Sequence, residues 1–247
     1  MKYQEREQRI LEILGDQQTI RAAELSQLLG VSVVTVRKDL QQMEDEGKLI
    51  RTFGGASARR DMRGKDERLE ILHRISDYTE REIQDGESLI MNAGTTTLLL
   101  AQKLQWGKRL KVLTNSVYAA GELSGRDEIQ LILLGGKMSS DAVFTSGRDT
   151  IEQLEQYKVD KLILSVNGIS CTKGLTTRHV DTADLYRKMI ERAKEVIVVA
   201  DESKVGMESF YYVCGLEVVT KIITNDSKSS QNSLEQMRKL GIQVCVC

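Results

Sequence analysis

Five short segments of this sequence combine glycine, hydroxyl and amide groups in a manner suited to holding an anion. They are Asn92-Ala93-Gly94-Thr95-Thr96-Thr97, Thr114-Asn115-Ser116, Gly135-Gly136-Lys137, Asn167-Gly168 and Asp201-Glu202-Ser203-Lys204. Glycine lets backbone N–H groups approach a ligand closely. Hydroxyls at the start of a helix add donors where the dipole already favours negative charge. Lys137 and Lys204 supply compensating positive charge. Together these groups describe a pocket for a small, phosphorylated, hydroxyl-rich molecule. The spacing is neither G-x-x-x-x-G-K-[ST], which cradles nucleotide phosphates, nor the G-x-G-x-x-G of dinucleotide sites.

A second group of residues points to a different chemistry. Ser32 stands where a helix N-cap belongs, and Val33, Val36, Leu40 and Met43 form one apolar stripe after it. At 100° per residue the opposite face carries Val34, Thr35, Lys38 and Gln42, with Arg37 and Gln41 on its flank. A major groove about 12 Å wide admits such a helix; Arg and Lys suit guanine edges, and Thr suits either kind of base edge. Arg51 and Thr52, on an alternating segment that turns at Gly54-Gly55, are placed to bond phosphates. Basic and acidic residues nearly balance over residues 1–60, but the acids at 44–46 cluster away from Ser32 and Lys38.

The elements that must position these groups follow from periodicity. Ile10, Ile13 and Leu14 give a first helix that stops at Gly15, and Ala22, Leu25 and Leu29 a second that ends at Gly30. The third helix ends near Gly47, and the alternating segment after it suits a small β-wing. This is a winged helix-turn-helix over residues 1–56. Residues 57–66 are charged and without period, which suggests a loop or linker, with Arg59, Arg60, Arg63 and Lys65 either solvated or against DNA backbone. A connecting helix over 69–83, with Leu72, Ile75 and Ile83 inward and His73 at the surface, completes a joining segment at 57–87. From residue 88, apolar runs at 89–91, 110–113, 129–134, 162–166, 196–200, 221–223 and 243–246 alternate with helical stretches at 97–104, 117–124, 151–156, 182–193 and 233–240. Strands alternating with helices predict a mainly parallel α/β sheet covered on both faces over 88–247, with ligands beyond the strands' carboxyl ends.

Composition sets the bounds. The 247 residues are 40% hydrophobic and 29% charged, enough apolar content for a packed core. No apolar run approaches the roughly 18–20 residues of a membrane helix, and the charged start lacks an apolar signal region, so a cytoplasmic protein without membrane contact is expected. Cysteines at 171, 214, 245 and 247, without C-x-x-C spacing and with two histidines in the chain, suggest reduced thiols and no metal site. No cofactor is expected.

Val31-Ser32…Thr35-Val36-Arg37-Lys38-Asp39-Leu40, followed by Gly47…Ile50-Arg51-Thr52-Phe53-Gly54-Gly55-Ala56, resembles the signature of DeoR-type bacterial regulators of sugar metabolism. The second domain is similar along its length, through Asn92–Thr97, Thr114-Asn115-Ser116, Gly135-Gly136, Gly168-Ile169, Gly174-Leu175-Thr176-Thr177 and Ser203-Lys204. The resemblance implies a sensor domain similar to ribose-phosphate isomerases and CoA transferases, and a repressor released from operator DNA by a phosphorylated sugar. It puts phosphate contacts at Gly94, Thr95, Thr96 and Lys204, and sugar contacts at Asn115, Gly136, Asn167, Gly168, Arg178, His179 and Asp181. His179 can bond a sugar hydroxyl or sense pH near neutrality. The family usually has Asp where this chain has Asn92, and often Asp-Gly for Asn167-Gly168. An amide keeps hydrogen-bonding capacity but cannot act as the general base that aldose–ketose isomerisation needs.

The expected protein is therefore not an enzyme and carries no catalytic residue. It is a homodimeric or homotetrameric regulator placing two recognition helices on operator half-sites. The alternative is a sugar-phosphate isomerase-like enzyme with an appended DNA-binding domain, using Asp201 or Glu202. An activator has the same architecture, because the sign of regulation depends on where the operator lies.

Overall fold

The computed structural model describes residues 3–17, 19–52, 55–58, 60–138 and 143–247 and divides into two compact units, Met1–Leu69 and Glu70–Cys247. The side chains of 15–17, 19, 50–52, 57–58 and 60–66 are outside the description.

The first unit runs α1 (Tyr3–Gln17), β1 (Thr19–Arg21), α2 (Ala22–Leu29), α3 (Val33–Asp45), β2 (Leu49–Thr52) and β3 (Gly55–Ala58). Ile10, Leu14, Leu25, Leu29, Val36, Leu40 and Met43 bury together as its core. Gly30 ends α2 in the left-handed region at φ 64°, and Ser32 opens α3 by accepting the Thr35 N–H at 3.1 Å. Arg6 grips the buried Asp39 through Nε–Oδ2 at 2.6 Å and Nη2–Oδ1 at 2.9 Å, so α1 holds α3 by a two-pronged ion pair. Three features differ from the sequence expectation. α1 continues two residues past Gly15, since one glycine costs a helix only about 1 kcal/mol. The wing is a three-stranded antiparallel sheet, ordered β1-β3-β2, whose three-residue β1 carries too little pattern to be foreseen. Gly55 is not a turn residue: it pairs with Arg21 and Thr52, and a Cβ there would fall 2.0 Å from Ile20 O.

α4 (Arg60–Arg81) follows, and the division between the units falls inside it. The charged stretch expected as a linker is thus helical from Arg60: Arg, Lys and Glu are good helix formers even without an apolar stripe. The cations expected there, Arg59, Arg60, Arg63 and Lys65, have side chains outside the described residues.

The second unit continues with β4 (Ser88–Met91), α5 (Thr95–Lys103), β5 (Leu110–Thr114), α6 (Val117–Leu123), β6 (Ile129–Leu133), β7 (Lys137–Met138), β8 (Thr145–Ser146) and α7 (Arg148–Leu154). Then come β9 (Val159–Leu164), β10 (Gly168–Ser170), β11 (Gly174–Thr177), α8 (Val180–Glu191), β12 (Ala193–Val199), β13 (Tyr211–Cys214), β14 (Lys221–Thr224), α9 (Gln231–Lys239) and β15 (Gln243–Val246). The seven apolar runs form one seven-stranded parallel sheet ordered β15-β14-β12-β9-β4-β5-β6. Both faces are covered, as the near-continuous apolar strands require. Ile90, Leu162 and Val198 pack with side chains of α7, α8 and α9, while Leu89, Met91 and Ile163 pack with those of α4, α5 and α6. β10, β11 and β13 form a separate small antiparallel sheet.

Lysines secure the amino edge. Lys108 Nζ donates to Glu80 O at 3.2 Å and Ile83 O at 2.9 Å, and Lys161 Nζ to Glu82 O at 2.6 Å, satisfying carbonyls at the end of α4. Asp160 accepts from Ser88 N–H at 2.9 Å and from Lys194 at 2.7 Å, joining β9 to both neighbours. Lys194 and Ser88 hold this carboxyl well below the usual carboxylate range. A lowered acid pKa adds stability above the unfolded value, about 3.9, and loses it as pH falls through the folded value. Asp160→Asn should therefore lower the free energy of urea unfolding at pH 7 by about 1 kcal/mol, since the pair is partly exposed. Below about pH 4 its deficit against the wild type should shrink; a deficit constant from pH 3 to pH 7 would contradict this.

Candidate functional site

Strands β4 and β9 are neighbours, but the chain leaves β4 towards β5 on one side and leaves β9 towards β12 on the other. Such a switch point opens a crevice at the carboxyl ends of the strands. Asn92 follows β4 there and is fully buried. Its Nδ2 donates to Ser165 O at 2.8 Å and its Oδ1 accepts from Ser165 N–H at 2.8 Å, which ties the end of β4 to the end of β9. An ionised carboxylate can make only the second of these bonds. The Tyr186 hydroxyl of α8 lies against the same amide; burial pushes its pKa up to about 12, with Asn92 pulling the other way. Asn115, after β5, is equally buried, accepting from Ala93 N–H at 2.9 Å and donating to Thr145 O at 2.9 Å. Both amides shape the crevice by holding backbone.

Gly94 caps α5 with extended backbone, and a Cβ on it would fall 2.7 Å from Ser165 Cβ and 2.8 Å from Ser165 Oγ. Thr97 Oγ1 donates to Asn92 O at 2.7 Å. The first internal bond of the helix runs from Leu98 N–H to Gly94 O at 3.0 Å, and among the described residues the N–H groups of Thr95, Thr96 and Thr97 meet no acceptor. Donors left over at a helix start suit an anion. Thr95 is exposed and Thr96 buried.

The remaining expected contacts are arranged in smaller sets. Asn167 Oδ1 accepts from Thr177 Oγ1 at 3.1 Å and from Arg178 N–H at 3.2 Å, which orders the approach to α8, where Arg178, His179 and Asp181 are exposed. Gly168 is buried where a Cβ would meet Met207 O and Thr176 Oγ1, each at 2.6 Å. Gly136 has φ 142°, and a Cβ would fall 2.1 Å from Thr150 Oγ1. Lys137 is exposed on β7, beyond the edge strand β6, and Lys204 is half-buried in a 3₁₀ turn that Asp201 caps through Ser203 N–H at 3.0 Å. The structure thus joins Asn92, Gly94 and Asn115 in one bonded unit and links Asn167 to Arg178. Lys137 sits on a separate two-stranded ladder. Ser165 and Tyr186 escaped sequence reasoning. Ser165 lies inside an apolar run taken to continue to residue 166, and Tyr186 has the pattern of a core position.

In the first unit, α3 turns Val34, Arg37, Lys38, Gln41 and Gln42 outward. Ser32 Oγ and Thr35 Oγ1 bond each other at 2.9 Å, and Gln42 Nε2 donates to Glu46 at 3.0 Å. Arg9 and Lys48 are ion-paired, whereas among the described residues neither Arg37 nor Lys38 is. Arg51 and Thr52 lie in β2, but their side chains, like Phe53 and Gly54, fall outside the described residues. No helix among the described residues is long and apolar enough to cross a membrane, and none of their side chains form a metal-ligating cluster.

A winged helix-turn-helix with exposed cations, followed by a parallel α/β domain with a polar crevice, defines a DNA-binding transcription regulator with a sensor domain. Residues 6–63 match the DeoR-like helix-turn-helix domain and residues 70–226 the DeoR C terminal sensor domain. The chain belongs to the DeoR family. It is 34% identical over 253 residues to the HTH-type transcriptional repressor GlcR of Bacillus subtilis (strain 168), covering 100% of this chain and 97% of the relative. It is 30% identical over 249 residues to a putative aga operon transcriptional repressor of Escherichia coli O157:H7, covering 97% and 92%. Among solved structures, ribose 5-phosphate isomerase A from Methanocaldococcus jannaschii is similar with a TM-score of 0.39 and 19% identity, over 55% of this chain and 54% of that one.

The close approach of Gly94 to Ser165 has a measurable consequence. Gly94→Ala should cost about 1–3 kcal/mol in chemical unfolding through overpacking. Ser165→Gly in the same chain should recover most of that loss. Simple additivity of the two changes would mean that the loops do not meet.

Proposed function

We propose that this protein represses carbohydrate-utilisation genes, binding operator DNA through α3 and the wing and leaving it when a phosphorylated sugar binds at the carboxyl edge of the sheet. It acts as a homodimer or homotetramer, so that two copies of α3 meet two half-sites. The observation that carries the reading is family membership over nearly the whole chain, joined to a switch-point crevice whose α5 start presents three unpartnered N–H groups. The names of the relatives, repressors in two cases, support the sign of regulation.

In this reading Val34, Thr35, Arg37, Lys38 and Gln42 face the major groove, Ser32 fixes the start of α3, and Arg51 and Thr52 of the wing bond phosphates. Gly94, Thr95 and Thr96 hold the phosphate with Lys204. Gly136, Lys137, Asn167, Gly168, Arg178, His179 and Asp181 surround the sugar, and Asn92 and Asn115 shape the floor. A regulator is favoured over an isomerase because amides occupy 92 and 167, and the buried Asp201 carboxylate is bonded to Ser203.

The test is selection from sheared genomic DNA at about 150 mM salt, where non-specific binding is weakened by counterion competition. A few enriched sites with repeated half-sites are expected, and ribose 5-phosphate, glucose 6-phosphate or fructose 6-phosphate should displace them. Lys38→Ala or Arg37→Ala should weaken operator binding by about 1–3 kcal/mol for whichever side chain meets a base. Unchanged footprints in both variants would remove this docking, and turnover of a sugar phosphate abolished by Asp201→Asn would favour the enzyme.

A further inference from the structure

Helix α4 contains two buried hydroxyls that bond back onto their own helix. Thr79 Oγ1 donates to Ile75 O at 2.6 Å and to nothing else among the described residues. Ser76 Oγ stands 2.8 Å from Leu72 O and 3.1 Å from Thr96 O, which belongs to the first turn of α5. Ser76 is fully buried. One hydroxyl proton thus faces two acceptors, one on α4 and one on the segment that opens the crevice.

We propose that Ser76 is the positioning residue that passes occupancy of the crevice to α4; the inference rests on the effector reading above. Thr96 O and Thr97 N–H are the two ends of one peptide group, and Thr97 N–H is among the donors without an acceptor. An anion accepting from Thr97 N–H polarises that peptide and strengthens Thr96 O as an acceptor. The Ser76 proton then moves its bond from Leu72 O to Thr96 O. A serine bonded to the carbonyl four residues back bends a helix, so releasing Leu72 O changes the curvature of α4. Lys108 and Lys161 fix the carbonyls at the C-terminal end of α4. The change of bend is therefore expressed towards Arg60, the end that the chain enters from β3. Lys103, at the far end of α5, also touches α4, at His73 O and at the Asp77 carboxylate on either side of Ser76, but through a flexible four-carbon stem that follows such a movement.

The experiment measures operator affinity by fluorescence anisotropy with the full chain, with and without ribose 5-phosphate, glucose 6-phosphate and fructose 6-phosphate. In the wild type at least one sugar phosphate should weaken operator binding about tenfold or more, and Ser76→Ala should cut that ratio below about twofold. By calorimetry, Ser76→Ala should still bind the same sugar phosphate within about threefold, since it removes coupling and leaves the ligand's donors in place. Thr79→Val, which removes the neighbouring back-bond, should keep the wild-type ratio. An undiminished ratio in Ser76→Ala, or an equal loss in Thr79→Val, overturns the proposal. Should Ser76→Ala fail to fold, amide exchange in the wild type decides: the sugar phosphate must alter exchange over residues 72–80, and unchanged exchange there overturns the proposal. If no sugar phosphate moves the wild-type operator affinity, the effector reading itself falls, and the role of Ser76 with it.

Discussion

Two hydrogen bonds between the Asn92 amide and the Ser165 peptide groups hold the sheet together at the place where its strand order reverses. Strands β4 and β9 diverge in connection there, and a crevice is stable only if something ties its lips. A neutral amide does so because it offers a donor and an acceptor at once, in a site with no access to water. Much else follows from that tie. With Ser165 held at this distance, the residue opposite must be glycine, and the α5 start is drawn close enough for Thr97 to bond back to Asn92. An aspartate at this position would accept from Ser165 N–H but confront Ser165 O with a second charge-bearing oxygen. The amide here is part of the scaffold of the crevice.

The two edges of the parallel sheet carry opposite chemistry. At the amino edge, ammonium groups meet carbonyls and carboxylates: Lys161 with Glu82 and Glu87, Lys221 with Glu82, and Asp160 with Ser88 and Lys194. These satisfied pairs fix the C-terminal end of α4 to the domain. At the carboxyl edge, amides, hydroxyls and unpartnered N–H groups dominate, which leaves hydrogen-bonding capacity for a ligand. Such a division suits a sensor, in which one edge is rigid and the other is open to occupancy. In the winged unit, the buried Arg6–Asp39 pair plays the rigid part by locking α3 against α1, while α3 leaves Arg37 and Lys38 outward. Truncating Asp39 would remove both prongs of that grip on α3.

Much of this organisation was legible in the residues. The seven apolar runs became the seven parallel strands, since strands buried on both faces must be apolar throughout. The Ser32 cap and the Gly30 stop marked α3 and α2 with their own chemistry. The small strands were not legible: β10 and β11 are rich in glycine, serine and threonine, and β1 is three residues long, so none shows a period. The start of α4 was hidden for the converse reason, because a helix built from charged residues without an apolar face resembles a loop in sequence. Within the crevice, the loop glycines were visible as types. The burial of Asn92 and Asn115 was not, because a sequence cannot say whether an amide faces a ligand or a neighbouring backbone.

The reversal of strand order at β4 also bears on how the chain is made. β5 and β6 can add to one side of β4 as soon as they are synthesised, since each pairs with the strand before it. The other side of β4 waits for β9, roughly seventy residues later. At roughly 5–20 residues per second this leaves an apolar strand edge uncovered for several seconds on the ribosome. Over that interval Asn92 lacks the peptide groups that complete it. The winged unit, whose described strand pairings and core side chains lie within residues 3–58, has its own contacts in hand before the sensor sheet can close.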